Sequence, residues 1–242
     1  MSLLVSFLIT DPLIVLTTAA YWSASFAASL FDSTGRRQDA IARAWGGALL
    51  RVSRVKVRVE GLEKITPNGS YVFASNHLSY MDTPVVLANI PAGFRFLAKR
   101  GLFQIPFIGW HLARAGHIQV PRADARGAVK SMTLAAQMVR ERGISLLIFP
   151  EGGRSRDGLL GPFREGAAYI AIRAGVPLVP VSLQGTREVL PFGSGRVRSG
   201  TVTMRIGDPI PTSDLVLHDR VSLTADLRQR IVALLNEQPI HA

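Results

Sequence analysis

No cysteine occurs among the 242 residues. That excludes disulfides, thiolate nucleophiles and cysteine-ligated zinc, and it agrees with a reducing compartment. No cluster of His, Asp and Glu recurs at metal-ligand spacing, so no metal site is expected. Repeats and low-complexity tracts are absent too. Negative charge is scarce, with 17 acidic residues against 28 Lys and Arg and a formal net charge of +11. Such a balance implies an anionic partner: nucleic acid, an anionic membrane or a phosphate-bearing substrate. No nucleic-acid-binding motif accompanies it. A basic membrane-surface protein without catalysis is the alternative class that the charge alone allows.

Charge of either sign is missing from the N-terminus. Residues 1–31 carry a single charge, Asp11, and residues 12–31, PLIVLTTAAYWSASFAASLF, carry none. Twenty such residues suffice to cross a bilayer core, although Thr, Ser and Ala make up half of them. No Lys or Arg precedes Arg36, so the basic start of a secretory signal is lacking, and the basic residues follow at Gly35-Arg36-Arg37. That order predicts an uncleaved anchor or half-inserted helix with the remainder of the chain on the cytoplasmic side of an inner membrane. A buried core helix is the other reading. In residues 36–54, Ile41, Trp45, Ala48, Leu49 and Val52 share one helical face, while Arg36, Arg37, Arg43, Arg51 and Arg54 supply charge. The pattern describes a helix lying in the headgroup plane, or an amphipathic helix packed on the domain. Gly46 and Gly47 weaken it in either case, by about 1 kcal/mol each.

From residue 55 the chain alternates between strand-like and helix-like stretches. VKVRVE at 55–60 alternates in period two, whereas YVFA at 71–74 and ISLLIF at 144–149 are apolar throughout, as strands covered on both faces are. FRFLAK, HIQVP, PLVPVSL and TVTMRIG are further strand candidates, with helices over roughly 83–90, 124–142, 164–174 and 220–237. The alternation predicts an α/β fold, a mixed and largely buried sheet sandwiched by helices. Residues 1–54 form a membrane-associated helical segment in this reading, and 55–242 form one domain.

Four segments carry chemistry. SNHLSYMDTP, residues 75–84, places His77 and Asp82 five apart, which on a helix would turn them about 140° from each other. They can meet only if the chain turns between them. Thr83-Pro84 predicts such a turn, with Thr83 capping a helix that begins at Pro84. His77 then reads as a general base held by Asp82, or Asp82 reads as a helix cap beside an ordinary loop histidine; locally the two stand level. FPEGGRSRDG, residues 149–158, follows the most apolar strand. Gly152 and Gly153 allow a ligand close to the backbone, and Arg154 can fork onto a phosphate. GHIQVPR, residues 116–122, ends in Arg122. VPLVPVSLQG, residues 176–185, has no ionisable group and reads as a wall strand or a core strand.

Taken together, in order, these segments resemble the lysophosphatidic acid acyltransferases of the glycerolipid acyltransferase family. NHLSYMD is similar to that family's Asn-His-x4-Asp block, GHIQVPR to its second block, FPEGGRS to its third and VPLVPVSL to its fourth. AKRGLFQIPFIGW, residues 98–110, is similar to the connecting segment. The resemblance covers residues 55–210. It implies a glycerol-3-phosphate acyltransferase-like fold and transfer of a fatty acyl group from an acyl thioester to the free hydroxyl of lysophosphatidic acid, in phospholipid biosynthesis. The thioester, carried on acyl carrier protein or coenzyme A, is a co-substrate; no other cofactor is implied. By resemblance His77 is the base and Asp82 orients it. Asn76, Lys99, Arg122, Glu151, Gly152, Gly153 and Arg154 belong to substrate binding, with membrane lipids and the lysophospholipid as partners and no nucleic acid. Gly153 stands where the family usually has Thr, and Pro121 restricts the backbone before Arg122. Both departures bear on the acceptor, for which another lysolipid, such as a lyso-aminolipid, is the alternative.

Overall fold

The computed structural model describes residues 6–32, 35–105, 108–121 and 124–237. Its centre is a seven-stranded sheet: β1 (Val55–Glu60), β2 (Val72–Ser75), β3 (Phe94–Lys99), β4 (Ile118–Val120), β5 (Ser145–Ile148), β6 (Leu178–Gln184) and β7 (Gly200–Ile206). The spatial order is β1-β7-β6-β2-β5-β3-β4. β6, β2, β5, β3 and β4 run parallel, while β7 is antiparallel to β6 and parallel to β1. The sheet is therefore mixed, with helices on both faces. Buried strands follow from apolar sequence: every residue of β2 and β5 is buried, and in β6 only the last, Gln184, is exposed.

Period-two alternation divides these strands between two cores. Phe73, Leu147, Val181 and Leu183 join Val85, Val86 and Leu50 on one face. Val72, Ala74, Leu146 and Ile148 join Ala135, Val139, Ala168, Leu227 and Ile231 on the other. In helix Arg220–Asn236 the buried Leu223, Leu227, Ile231 and Leu234 fall on one stripe at helical spacing. Pro180 is tolerated in a central strand because of where it sits. Its carbonyl accepts from Gly207 N, so its missing donor faces the same side, where the β7 ladder begins only at Val181.

Residues Asp11–Phe31 are helical, as are Arg36–Val52. Leu8–Phe31 is one 24-residue helical stretch long and apolar enough, by length and composition, to cross a membrane. Leu13, Val15, Leu16, Leu30 and Phe31 are exposed along it. Of the Ser and Thr residues that dilute its hydrophobicity, Ser25 and Ser29 are buried against the protein, while Thr18 and Ser23 stay exposed. Thr18 accepts from Trp45 Nε1 at 3.2 Å, Ser25 bonds His111 at 2.9 Å, and the Ser29 carbonyl accepts from Arg114 at 2.8 Å. The helix thus has a polar seam toward the protein and an apolar face away from it.

Helix Arg36–Val52 is fastened to the sheet domain, and two of its charged residues bond inward rather than outward. Arg43 donates to the carbonyls of Ile90 and Pro91, which lie past the end of helix Asp82–Asn89 and have no helical partner. Asp39 takes the buried Arg95 of β3 at 2.6 Å. Burial pushes the Asp39 carboxyl above its ordinary range, with the Arg95 guanidinium pulling the other way. Gly46 is the point of closest approach: a Cβ there would lie 2.8 Å from the Pro84 carbonyl oxygen. The glycine that weakens the isolated helix is what lets it dock.

Candidate functional site

Because five neighbouring strands run parallel, their carboxyl ends share one edge of the sheet, the place where α/β folds put ligands. β2 leads from Ser75 to His77, β5 from Ile148 to Glu151, and β3 ends at Lys99. β6 ends at Gln184 and leads to Phe192. β4 ends at Val120, and Arg122 beyond it lies outside the described residues, as do 106 and 107 of the 98–110 segment.

The His–Asp segment turns, and the helix begins earlier than Thr83-Pro84 predicts. It starts at Asp82, with Met81 as its N-cap residue. Ser79 supplies the local cap: its Oγ accepts from Met81 N at 3.1 Å and donates to the Leu190 carbonyl at 2.8 Å. Asp82 then stabilises the turn with its own carboxylate. Pro84 is the third helical residue, among the first four whose N–H has no intrahelical acceptor, so its missing donor is harmless there.

Asp82 is fully buried. Its Oδ2 accepts from His77 Nδ1 at 2.7 Å, Leu78 N at 2.7 Å and Ser79 N at 2.9 Å. With two backbone N–H groups already donating to Oδ2, the third contact is assigned as a bond donated by His77 Nδ1, which in the neutral imidazole leaves the lone pair on Nε2. The imidazole stacks on Phe149, with centroids 3.9 Å apart and 14° between the planes. Ring plane, tautomer and backbone are fixed together, and the side chain stays 18% exposed. Such an imidazole can take a proton from an approaching hydroxyl.

Glu151 fastens the second loop to the first. Its Oε1 accepts from His77 N at 2.7 Å and its Oε2 from Gly161 N at 3.0 Å. Burial raises its carboxyl pKa above the ordinary value, and the two backbone donors and His77 oppose the rise. Ser155 N donates to the His77 carbonyl at 2.8 Å, closing the loop–loop junction. Gly152 adopts φ +72°, a left-handed conformation suited to glycine, and its N–H is bonded to Phe149 O. At Gly153 an added Cβ would meet Lys99 Nζ at 3.6 Å, so a bare backbone lies against that ammonium. The loop borders an open groove of about 430 Å³ lined by Glu151, Gly153, Arg156 and Leu160 among others.

Asn76 is buried, and its amide is committed to β6: Nδ2 donates to Leu183 O at 2.9 Å and Oδ1 accepts from Leu183 N at 2.8 Å. It pins the start of the His77 turn to the strand. Ser75 and Ser79 flank His77 but are fully buried, with their hydroxyls on the carbonyls of Asn76 and Leu190. The guanidinium of Arg154 lies 3.5 Å from the Tyr80 ring centroid and 4.6 Å from that of Phe192. The structure thus gathers His77, Asp82, Lys99, Glu151, Gly152, Gly153 and Arg154 at one edge. Tyr80, Phe149 and Phe192 complete the arrangement. The apolar character of FPEGG gives a signal for Phe149; for Tyr80 and Phe192 no local pattern does.

A family model described as Acyltransferase matches residues 56–184. A chloroplastic 1-acyl-sn-glycerol-3-phosphate acyltransferase of Brassica napus is 37% identical over 184 residues, covering 75% of this chain and 53% of that protein. The human 1-acyl-sn-glycerol-3-phosphate acyltransferase alpha is 29% identical over 183 residues, covering 76% and 65% respectively. This chain spans about half the length of the two chloroplastic relatives, 53% for that of Brassica napus and 51% for one of Arabidopsis thaliana. The crystal structure of the 1-acyl-sn-glycerophosphate acyltransferase PlsC from Thermotoga maritima shares the fold. Its TM-score is 0.77 at 24% identity, with 96% of this chain and 97% of that one covered.

Proposed function

The chain belongs to the acyltransferase family, and from that premise we propose that it moves a fatty acyl group from an acyl thioester to the free hydroxyl of lysophosphatidic acid. The observation that carries the reading is the His77–Asp82 pair: a half-open imidazole whose Nδ1 is held at 2.7 Å by a fully buried carboxylate. His77 Nε2 takes the hydroxyl proton as the oxygen attacks the thioester carbonyl. The tetrahedral intermediate collapses with cleavage of the C–S bond, and the proton passes from His77 to the departing thiolate. Asp82 balances the imidazolium formed in between. The carbonyl oxyanion needs donors preorganised in the loop. Gly152 N is bonded to Phe149 O, so the N–H groups of Gly153 and Arg154 are the ones assigned to it. Direct transfer is preferred to a seryl intermediate because Ser75 and Ser79 are buried and bonded to carbonyls.

Lys99 and Arg154, with Arg122, are assigned to the acceptor phosphate; Glu151 and Asn76 hold the loops that carry the site. The net charge of +11 suits anionic lipid headgroups and an acidic donor, acyl carrier protein or coenzyme A. The exposed apolar face of Leu8–Phe31 is assigned to the bilayer, with the site facing the cytoplasm. The test is turnover by purified protein on anionic vesicles with lysophosphatidic acid and a long-chain acyl thioester. Phosphatidic acid is the expected product. Thioester loss without phosphatidic acid, or no turnover, would contradict the reading; transfer to another lysolipid alone would move the acceptor.

A further inference from the structure

Arg154 makes no hydrogen bond or ion pair among the described residues; its company is aromatic. Its guanidinium lies over Tyr80 at 3.5 Å and Phe192 at 4.6 Å, and Arg156 shares the Phe192 ring at 5.7 Å. Neither ring is there to fill the core, since Tyr80 is 66% exposed and Phe192 37% exposed. The Tyr80 hydroxyl makes no hydrogen bond among the described residues, and the contact to Arg154 is made by the ring. All five donors of a guanidinium lie in its plane. Cation–π contacts restrict a guanidinium's orientation without using its N–H donors, which stay available to a bidentate oxyanion. The clamp is also tied to the reacting base. Tyr80 lies in the turn between His77 and Asp82, and the residue after Arg154 donates to the His77 carbonyl at 2.8 Å.

We propose that Tyr80 and Phe192 are positioning residues for the acceptor headgroup. They hold Arg154, with Arg156 beside it on Phe192, as a guanidinium pair suited to the dianion of a phosphomonoester over the monoanion of a phosphodiester. The inference rests on the acyltransfer reading and names the headgroup class that the site selects. A Leu at either position keeps an apolar side chain and removes the π face; Tyr80→Phe keeps the face and removes the hydroxyl.

The experiment is steady-state kinetics of the full chain on mixed micelles with lysophosphatidic acid, a phosphomonoester, and lysophosphatidylglycerol, a phosphodiester. Wild type is compared with Tyr80→Leu, Phe192→Leu and Tyr80→Phe. Loss of one cation–π partner is expected to raise KM for lysophosphatidic acid about three- to tenfold in each Leu variant, with kcat nearly unchanged. The preference for the phosphomonoester falls by a similar factor, and Tyr80→Phe keeps the wild-type KM and preference. Unchanged KM and preference in both Leu variants overturns the inference. So does a loss confined to kcat, or damage from Tyr80→Phe equal to that from Tyr80→Leu. Wild type inactive on both lysolipids is a separate result: it removes the acyltransfer reading and this inference with it.

Discussion

Replacing Asp82 with Asn keeps the side chain's size and removes its charge, at the point where three donors converge. Oδ2 accepts from His77 Nδ1, Leu78 N and Ser79 N at 2.7, 2.7 and 2.9 Å. The amide oxygen must take that place, since an NH₂ facing three donors bonds to none of them. The NH₂ then occupies the Oδ1 position, which is buried and has no hydrogen-bond partner among the described residues. An unmet buried donor costs about 1–3 kcal/mol, and the surviving bonds lose their charge assistance. For a domain of this size that lowers Tm by about 2–12 °C. The rate suffers more. At 2.7 Å and an effective dielectric near 20, attraction between imidazolium and carboxylate is about 6 kcal/mol. If about half of it is lost from the transition state, kcat falls roughly 10²-fold, and about 10⁴-fold if nearly all is lost. The assay pairs kcat for phosphatidic acid formation with a thermal melt in the same micelles. A folded Asp82→Asn variant with wild-type kcat would refute the assigned role of the pair.

Three other perturbations follow from the same geometry. Glu151→Gln keeps one acceptor where two backbone donors need one each, so His77 or Gly161 loses its bond; a kcat loss of about tenfold or more is expected from a penalty of roughly 1–3 kcal/mol. Because burial raises the Glu151 carboxyl pKa, acidification should mimic Gln at a higher pH than for an ordinary carboxylate, and a pH–rate profile of both proteins checks it. His117 is part-buried and accepts from Phe96 N, and desolvation of its ring lowers its pKa from 6.5 to about 3. Between those values the unfolded chain binds the proton and the folded chain does not, so stability rises with pH across that window. Up to about 4–5 kcal/mol is lost on acidification through it. Urea midpoints across that range should drop with acid in wild type and less in His117→Gln; equal slopes would contradict the assignment. Gly46→Val puts a Cβ 2.8 Å from Pro84 O, and overpacking of about 1–3 kcal/mol should lower Tm by several degrees. An unchanged melt would show that helix Arg36–Val52 docks less tightly than its contacts require.

What the sequence made legible was local. The central strands could be read because β2, β5 and β6 are apolar on both faces, and the sheet's mixed character came with the alternation of elements. The turn between His77 and Asp82 followed from a spacing that no regular element satisfies. The helix start was misread by two residues because the carboxylate that orients His77 also holds the preceding turn, a job that Thr83-Pro84 gives no sign of. Non-local pairings stayed hidden. Asn76 meets Leu183 across 107 positions, and Asp39 meets Arg95 across 56, so nothing near either residue announces its partner. The aromatic clamp on Arg154 joins the His77 turn to a loop beyond β6 and was equally invisible. Gly46 looked like a weakness in a helix until the neighbouring Pro84 carbonyl explained it.

The central claim is that His77 is the base for acyl transfer. Its most direct test is the rate at which folded His77→Ala protein, bound to anionic vesicles, forms phosphatidic acid from lysophosphatidic acid and an acyl thioester. The account predicts a loss of about 10²–10⁴-fold in kcat, the usual contribution of a positioned general base, with vesicle binding and Tm close to wild type. Wild-type turnover by His77→Ala would contradict it.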